Sequence, residues 1–243
     1  MQAMILAAGL GTRLKPWTLS HPKALVPVDG VPMLERVILS LKSQGFDRFV
    51  VNVHHFASQV TDFLVARDFG VDIKISDESG RLLDTGGAIL EASRLFGPEP
   101  VLVHNVDILS NADLGDLMMF HEQSGVDSTL LVSERDSSRR LVFDSRLSLR
   151  GWHNVNDNQY KPAGFVPGDD FREYAFSGIH VVGGHEVEEM RRIEKDRKFS
   201  IVDFLLSDLH NCEIIGYVQP GLELIDIGKP ETLRLADGFL RHQ

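Results

Sequence analysis

The sequence predicts an α/β fold, a mixed but mainly parallel sheet flanked by helices, on three observations. Short apolar or β-branched runs alternate with amphipathic stretches of helical period as far as Val132. Gly9 and Gly11 interrupt the chain directly after the first apolar run, where a strand passes into a loop. Polar residues follow several of the runs, and a parallel sheet with right-handed crossovers gathers such residues at the carboxyl ends of its strands, where ligands bind.

Met4 to Ala8 reads as the first buried strand, and Val26 to Val28 as a short extended piece. Pro32 opens a helix to Lys42 with Leu34, Val37, Ile38 and Leu41 on one face, ended by Gly45. Residues 48–53 form the second strand, with His54 and His55 at its end; 59–66 a helix; 71–75 the third strand. An acidic segment then leads into Thr85-Gly86-Gly87-Ala88, where Thr85 is placed to cap a helix reaching Phe96. Pro98 and Pro100 stop that helix before a fourth strand, 101–103, which delivers Asn105 and Asp107 into a loop.

A helix at 113–122 and a strand at 128–132 complete the alternating half. From Ser133 to Arg172 the chain is polar and poor in helical period, so antiparallel hairpins are expected around 141–143, 148–152 and 160–165. A strand at 174–182, helices at 186–193 and 201–209, strands at 212–218 and 223–225, and a helix from Pro230 to Leu240 close the pattern. No internal repeat is evident.

The 243 residues and 43% hydrophobic content suit one large domain, expected to divide into an alternating half (1–132) and a half of different character (133–243). A formal net charge of −10 argues against a nucleic-acid or anionic-membrane partner, so the few cations should act locally. Cys212 is the only cysteine, which excludes an intrachain disulfide and a Cys-rich zinc framework. No run approaches a signal h-region or a membrane span, and a cytoplasmic location is expected. Oligomeric state is left open.

The glycine loop carries the most chemistry. Backbone N–H groups at Gly9 and Gly11, a guanidinium at Arg13 and an ammonium at Lys23 suit a polyphosphate. It is not a P-loop, because Gly-Lys-Ser/Thr occurs nowhere, and Leu14 replaces the small residue that ends a dinucleotide fingerprint. The whole string, Leu6-Ala7-Ala8-Gly9-x-Gly11-Thr12-Arg13-Leu14-x-Pro16 with Pro22-Lys23, closely resembles the signature of the nucleoside-diphospho-sugar pyrophosphorylases. These nucleotidyltransferases join a nucleoside triphosphate to a sugar 1-phosphate on a Rossmann-like fold, the nucleotide-diphospho-sugar transferase fold.

The resemblance implies that Leu6, Ala8, Gly9, Gly11 and Thr12 contact the nucleotide, with Arg13 and Lys23 on its phosphates as catalytic cations. It implies a Mg²⁺ cofactor held by Asp107, in Asn105-Val106-Asp107, and by Asp226, in Asp226-Ile227-Gly228-Lys229-Pro230-Glu231. Leu83-Asp84-Thr85-Gly86-Gly87 matches a turn that passes the nucleobase, although Asp84 stands where many members carry glycine, and Glu78 is a candidate base contact or a solvated loop acid. On the sugar side it points to Asn105, Ser177 and Gly178, to Trp152 and Asn154 as lid residues, and to Lys161, in a Lys-Pro string lacking the family's preceding glutamate. Trp152 equally suits a core.

Short members with these strings look most like the N-acetylmuramate 1-phosphate uridylyltransferases, with mannose- and heptose-1-phosphate guanylyltransferases next, so the partners expected are UTP or GTP and a sugar 1-phosphate. A metal-dependent glycosyltransferase shares an Asp-x-Asp motif resembling Asn105-Val106-Asp107, but has no triphosphate for Arg13 and Lys23 to hold. A nucleotide-sugar sensor would tolerate loss of the two aspartates, and both are present.

Overall fold

The computed structural model describes residues 1–193, 198–207, 209, 211–228 and 230–240. Position 208 of the expected 201–209 helix and Lys229 lie outside these. The first strand, β1 (Gln2–Leu6), pairs in parallel with β4 (Arg48–Val53) on one side and β6 (Val101–Asn105) on the other, and β4 continues to β5 (Asp72–Asp77). The register sets Leu6 beside Asn52 and Asn105, so the polar strand ends share one edge.

Both faces of these strands are apolar because both are covered. Ala3 and Ile5 of β1 join Phe49, Val51 and Leu102 in one core, under α1 (Met33–Ser43), α2 (Ala57–Val65) and α4 (Leu114–Ser124). Met4, Val50 and Val103 point the other way, into a second core under α3 (Asp84–Ala92), α5 (Gly184–Ile193) and α6 (Ile201–Ser207). The face of α1 is the one its periodicity predicts: Leu34, Val37, Ile38 and Leu41 are all buried.

The long strand β12 (Arg172–Val182) turns the sheet antiparallel, pairing with β6, with β8 (Ser128–Ser133) and with β9 (Arg139–Phe143). From β9 the sheet runs on through β10 (Leu149–Asn154) to β11 (Gln159–Lys161), the hairpin region expected from the polar middle of the chain. On its other side β8 carries the parallel strand β13 (Ile214–Val218). The result is a ten-stranded mixed sheet.

Two ribbons stand outside it. β2 (Pro27–Val28) pairs with β3 (Val31–Pro32), and β7 (Ile108–Ser110) pairs with β14 (Leu224–Asp226), ahead of the last helix α7 (Pro230–Leu240). The β7–β14 ribbon is absent from the sequence reading, which left Asp107 in an unpaired loop. A three-residue strand has no period to detect, and its partner lies far along the chain.

One local expectation changes. α4 is capped by Asp113, which accepts from the Asp116 N–H at 2.9 Å. Thr85 is not a cap: α3 begins one residue earlier, and the Thr85 hydroxyl accepts from the Ile201 N–H at 2.9 Å, binding α3 to the start of α6. Asp84 has φ 63, a left-handed conformation that Asp tolerates better than most residues and glycine adopts freely. A glycine, which the resemblance implies for many members, would adopt that conformation without strain.

Candidate active site

The loop after β1 owes its shape to Gly11. Its φ of 60 is left-handed, and a Cβ there would fall 2.8 Å from Thr18 Cγ2 and 2.9 Å from Lys23 Cβ. With no side chain the loop closes on itself: the Gly11 carbonyl accepts from the Leu14 N–H and from the Thr18 hydroxyl, both at 2.9 Å. Thr12 opens the single turn of 3-10 helix that follows, and Arg13 sits exposed upon it. Packed beneath Gly11, the Lys23 stem carries its ammonium to an ion pair with Asp107 Oδ2, with both side chains mostly buried.

Asp107 occupies the turn between β6 and β7, and its carbonyl accepts from the Ile227 N–H at 2.9 Å. That bond sets the end of β14 beside the end of β6. Asp226 folds its carboxylate back onto the Gly228 N–H at 2.7 Å. A Cβ on Gly228 would lie 2.7 Å from the Arg13 guanidinium, 2.8 Å from Asp226 Oδ1 and 3.3 Å from Asp107 Oδ2. Two carboxylates and a guanidinium therefore converge on one bare backbone position. Such a donor set fits a hard divalent cation, which takes one or two carboxylates and completes its shell with phosphate oxygens and water.

The cleft beside this point measures about 400 Å³ and gathers Leu6, Ala8, Gly9, Lys23, Glu78, Thr85, Asn105 and Asp107 from the sequence-based candidates. Glu78 is not a solvated loop acid. It is 4% exposed and accepts from the Asn52 amide at 2.8 Å, and burial raises its pKa above the usual carboxylate range. The Asn52 carbonyl oxygen takes the Ala7 N–H at 2.7 Å, so one side chain ties the loop after β1 to the loop after β5. Asn52 went unread, although a lone amide amid the apolar run Phe49 to Val53 is a signal. Lys198 also lines the cleft, and no motif in the sequence marks it.

A second cavity, about 550 Å³, collects Trp152, Asn154 and Lys161 together with Arg135, Arg139, Phe176 and Asp203. Lys161 pairs with Asp203 at 3.0 Å and lies 5.3 Å from the centre of the Trp152 ring. Trp152 is thus a cavity wall that also packs against the second core. Arg135 donates to the Phe176 carbonyl at 2.9 Å and feels the charge of Asp226; the loss of solvent around its guanidinium still holds its pKa below the usual value. It links the second cavity to the carboxylates.

Five candidate residues are placed differently from expectation. Gly86 and Gly87 are buried and do not line the cleft; both N–H groups donate to the Phe199 carbonyl, at 3.0 and 3.2 Å, and a Cβ on Gly86 would collide with the Phe199 ring. The close approach belongs to Phe199. Ser177 is 1% exposed and points into the core, because the strand alternation that turns Phe176 to the cavity turns its neighbour away. Gly178 (φ 74) lies at a register shift in β12 and touches Asn105, whose Nδ2 would be 2.6 Å from a Cβ there. Asn105 itself lines the first cleft and not the second cavity.

Comparison with known proteins agrees with this geometry. A family model described as nucleotidyl transferase matches residues 2–143. The chain is 35% identical to the N-acetylmuramate alpha-1-phosphate uridylyltransferase of Caulobacter vibrioides, over 98% of this chain and 96% of that one. It is 27% identical to the D-glycero-alpha-D-manno-heptose 1-phosphate guanylyltransferase of Aneurinibacillus thermoaerophilus, over 100% and 99%. Its fold matches that of a putative glucose-1-phosphate thymidylyltransferase from Bacillus anthracis with a TM-score of 0.83 at 18% identity, covering 100% of this chain and 96% of that one.

Proposed function

The chain belongs to the nucleotidyl transferase family, and from that premise we propose that it transfers uridylyl from UTP to N-acetylmuramate 1-phosphate, releasing pyrophosphate. Sugar-1-phosphate nucleotidyl transfer is the activity of its relatives as a class. The observation that carries the assignment is the convergence of Arg13, Asp107 and Asp226 at Gly228, with Lys23 on Asp107. In this reading the first half of the chain binds the nucleotide and the second half the sugar.

The acceptor arrives already ionised, so no side chain has to be activated as a nucleophile. Its phosphate oxygen attacks the α-phosphorus, the bond to the bridging oxygen breaks, and pyrophosphate departs with the electron pair. The work of the chain is positioning and charge. Asp107 and Asp226 would hold Mg²⁺, which when bound neutralises phosphate charge. Arg13 and Lys23 stabilise the negative charge that grows on the departing pyrophosphate. The loop from Gly9 to Arg13 offers backbone N–H groups to the phosphates, and the Ala7–Asn52–Glu78 connection keeps that loop in register with the base side.

The choice of sugar rests on charge and on the first relative. The second cavity is lined by Arg135, Arg139 and Lys161 against one carboxylate, Asp203, in a chain whose net charge is −10. N-acetylmuramate carries a carboxylate in addition to its phosphate, and mannose and the heptose do not. A guanylyltransferase reading is supported by the full-length likeness to the heptose enzyme. Pyrophosphate release from UTP or GTP, paired in turn with N-acetylmuramate, mannose and heptose 1-phosphates, tests the choice. Turnover only with GTP and a neutral sugar would reject it.

A further inference from the structure

Asp127, His185 and Cys212 bring their ligand atoms to within 4.8 Å of one another. We propose that this trio binds a soft divalent transition ion, zinc in the first instance, at a site separate from the nucleotidyl-transfer centre.

The topology accounts for both the meeting and the separation. Asp127 immediately precedes β8, Cys212 comes shortly before β13, and His185 opens α5 just after β12. β8 and β13 run parallel and β12 runs against β8, so all three residues fall at one end of this part of the sheet. Arg135 and the second cavity follow the opposite end of β8, a six-residue strand spanning about 20 Å. The ligands at Asp107 and Asp226 are therefore remote from the trio.

The donor chemistry is specific. A thiol, an imidazole and a carboxylate are the ligands zinc takes, and sulfur disfavours Mg²⁺ and Ca²⁺. The carboxylate is already oriented: Asp127 Oδ2 accepts from the Glu213 N–H at 2.7 Å, while Oδ1 faces His185 Nδ1 at 3.0 Å. Backbone bonds fix the residue as well, its N–H donating to Glu213 O at 3.0 Å and its carbonyl accepting from Gly183 at 2.9 Å. A carboxylate with one oxygen held by a backbone N–H and the other aimed at an imidazole is the support that metal ligands commonly have.

Tetrahedral zinc separates N and O ligands by about 3.4 Å and S and N ligands by about 3.6 Å. An ion between Asp127 and His185 needs only a few tenths of an ångström of opening, and the sulfur needs to close by about 1.3 Å at most. His185 has the freedom to adjust, its side chain being 51% exposed, while Cys212 is 5% exposed. The ion thus has an open approach and a sheltered sulfur, with water as the fourth ligand. A bound ion joins β8, β13 and α5.

The test is cobalt and zinc titration of the full chain without an affinity tag. Because Cys212 is the only cysteine, a thiolate-to-cobalt absorption band in the near ultraviolet reports this site and not the transfer centre. The expected result is a band saturating at one equivalent, displaced by zinc, absent in Cys212→Ser, and accompanied by zinc affinity at least tenfold weaker in Cys212→Ser and in His185→Ala. Pyrophosphate release with Mg²⁺ should be unchanged in both variants. No thiolate band, or zinc affinity unchanged in His185→Ala, overturns the proposal. Since His185 is exposed, its variant decides the matter even where Cys212→Ser fails to fold.

Discussion

The Ile227 N–H donates to the Asp107 carbonyl at 2.9 Å, and this backbone bond helps to set two carboxylates far apart in the sequence side by side. Neither aspartate is placed by its own side chain. The ribbon β7–β14 aligns them, with Asp226 opposite Ile108, and bare Gly228 leaves room for the Arg13 guanidinium beside them.

Asp107→Asn and Asp226→Asn should therefore each lower kcat by about a hundred- to a thousandfold, with little change in melting temperature, because the backbone bonds of the ribbon survive. Pyrophosphate release at saturating substrates, paired with thermal unfolding, checks this. Wild-type turnover in either folded variant would remove the carboxylates from the mechanism.

Lys23→Met keeps most of the stem packed beneath Gly11 and deletes only the charge. A fall in kcat of about a hundredfold or more is expected, with the fold intact. Steady-state kinetics that show only a higher KM for the triphosphate would make Lys23 a binding residue and not a stabiliser of the departing pyrophosphate.

Gly178→Ala should cost about 2 kcal/mol of stability and lower turnover, since the new Cβ meets both a left-handed backbone and the Asn105 amide. In a Gly178→Ala/Asn105→Ala double variant the collision is gone and the backbone strain persists. Denaturant unfolding of the two should then differ, with only part of the stability recovered in the double variant.

Acid sensitivity has a specific source in His180. Neither of its ring nitrogens has a hydrogen-bond partner among the described residues, and burial drives its pKa down to about 3; the same cause holds His104 at about 4. The unfolded chain binds protons that these imidazoles refuse. Their contribution is complete above the unfolded value of about 6.5 and falls by about 1.4 kcal/mol per pH unit below it for each group. His180→Leu should remove one group's share of that slope. Urea unfolding of both proteins at pH 7, 5.5 and 4.5 measures the difference, and parallel slopes would refute it.

Trp152→Ala opens the wall of the second cavity. KM for the sugar 1-phosphate should rise about tenfold, equivalent to 1.4 kcal/mol, with KM for the triphosphate unchanged. Varying each substrate at a fixed level of the other separates the two. Equal effects on both would mean that the cavity serves no single substrate.

Most of the sheet was legible in the sequence because its parallel strands are apolar on both faces and end in glycine or polar residues. The loop from Gly9 to Lys23 was legible because a glycine at a left-handed turn and a lysine packed beneath it are local events. The Phe199 contact was not, since nothing near Gly86 says that a ring from α6's approach segment will fill its missing side chain. Ser177 misled for a different reason: a strand residue's chemistry does not declare which face it takes when both faces are buried. Asp84 was noticed as an oddity, and its φ of 63 explains it.

The bonds from Gly86 and Gly87 to Phe199, and from Ile201 to Thr85, bear on the order in which the protein can be made. The matched segment 2–143 contains neither Phe199 nor Asp226. In a nascent chain the loop after β1 emerges early, yet the turn at 83–87 gains its backing only after residue 201 has followed. Expressed alone, that segment would leave the backbone of α3's first turn without its acceptor, the Phe199 carbonyl.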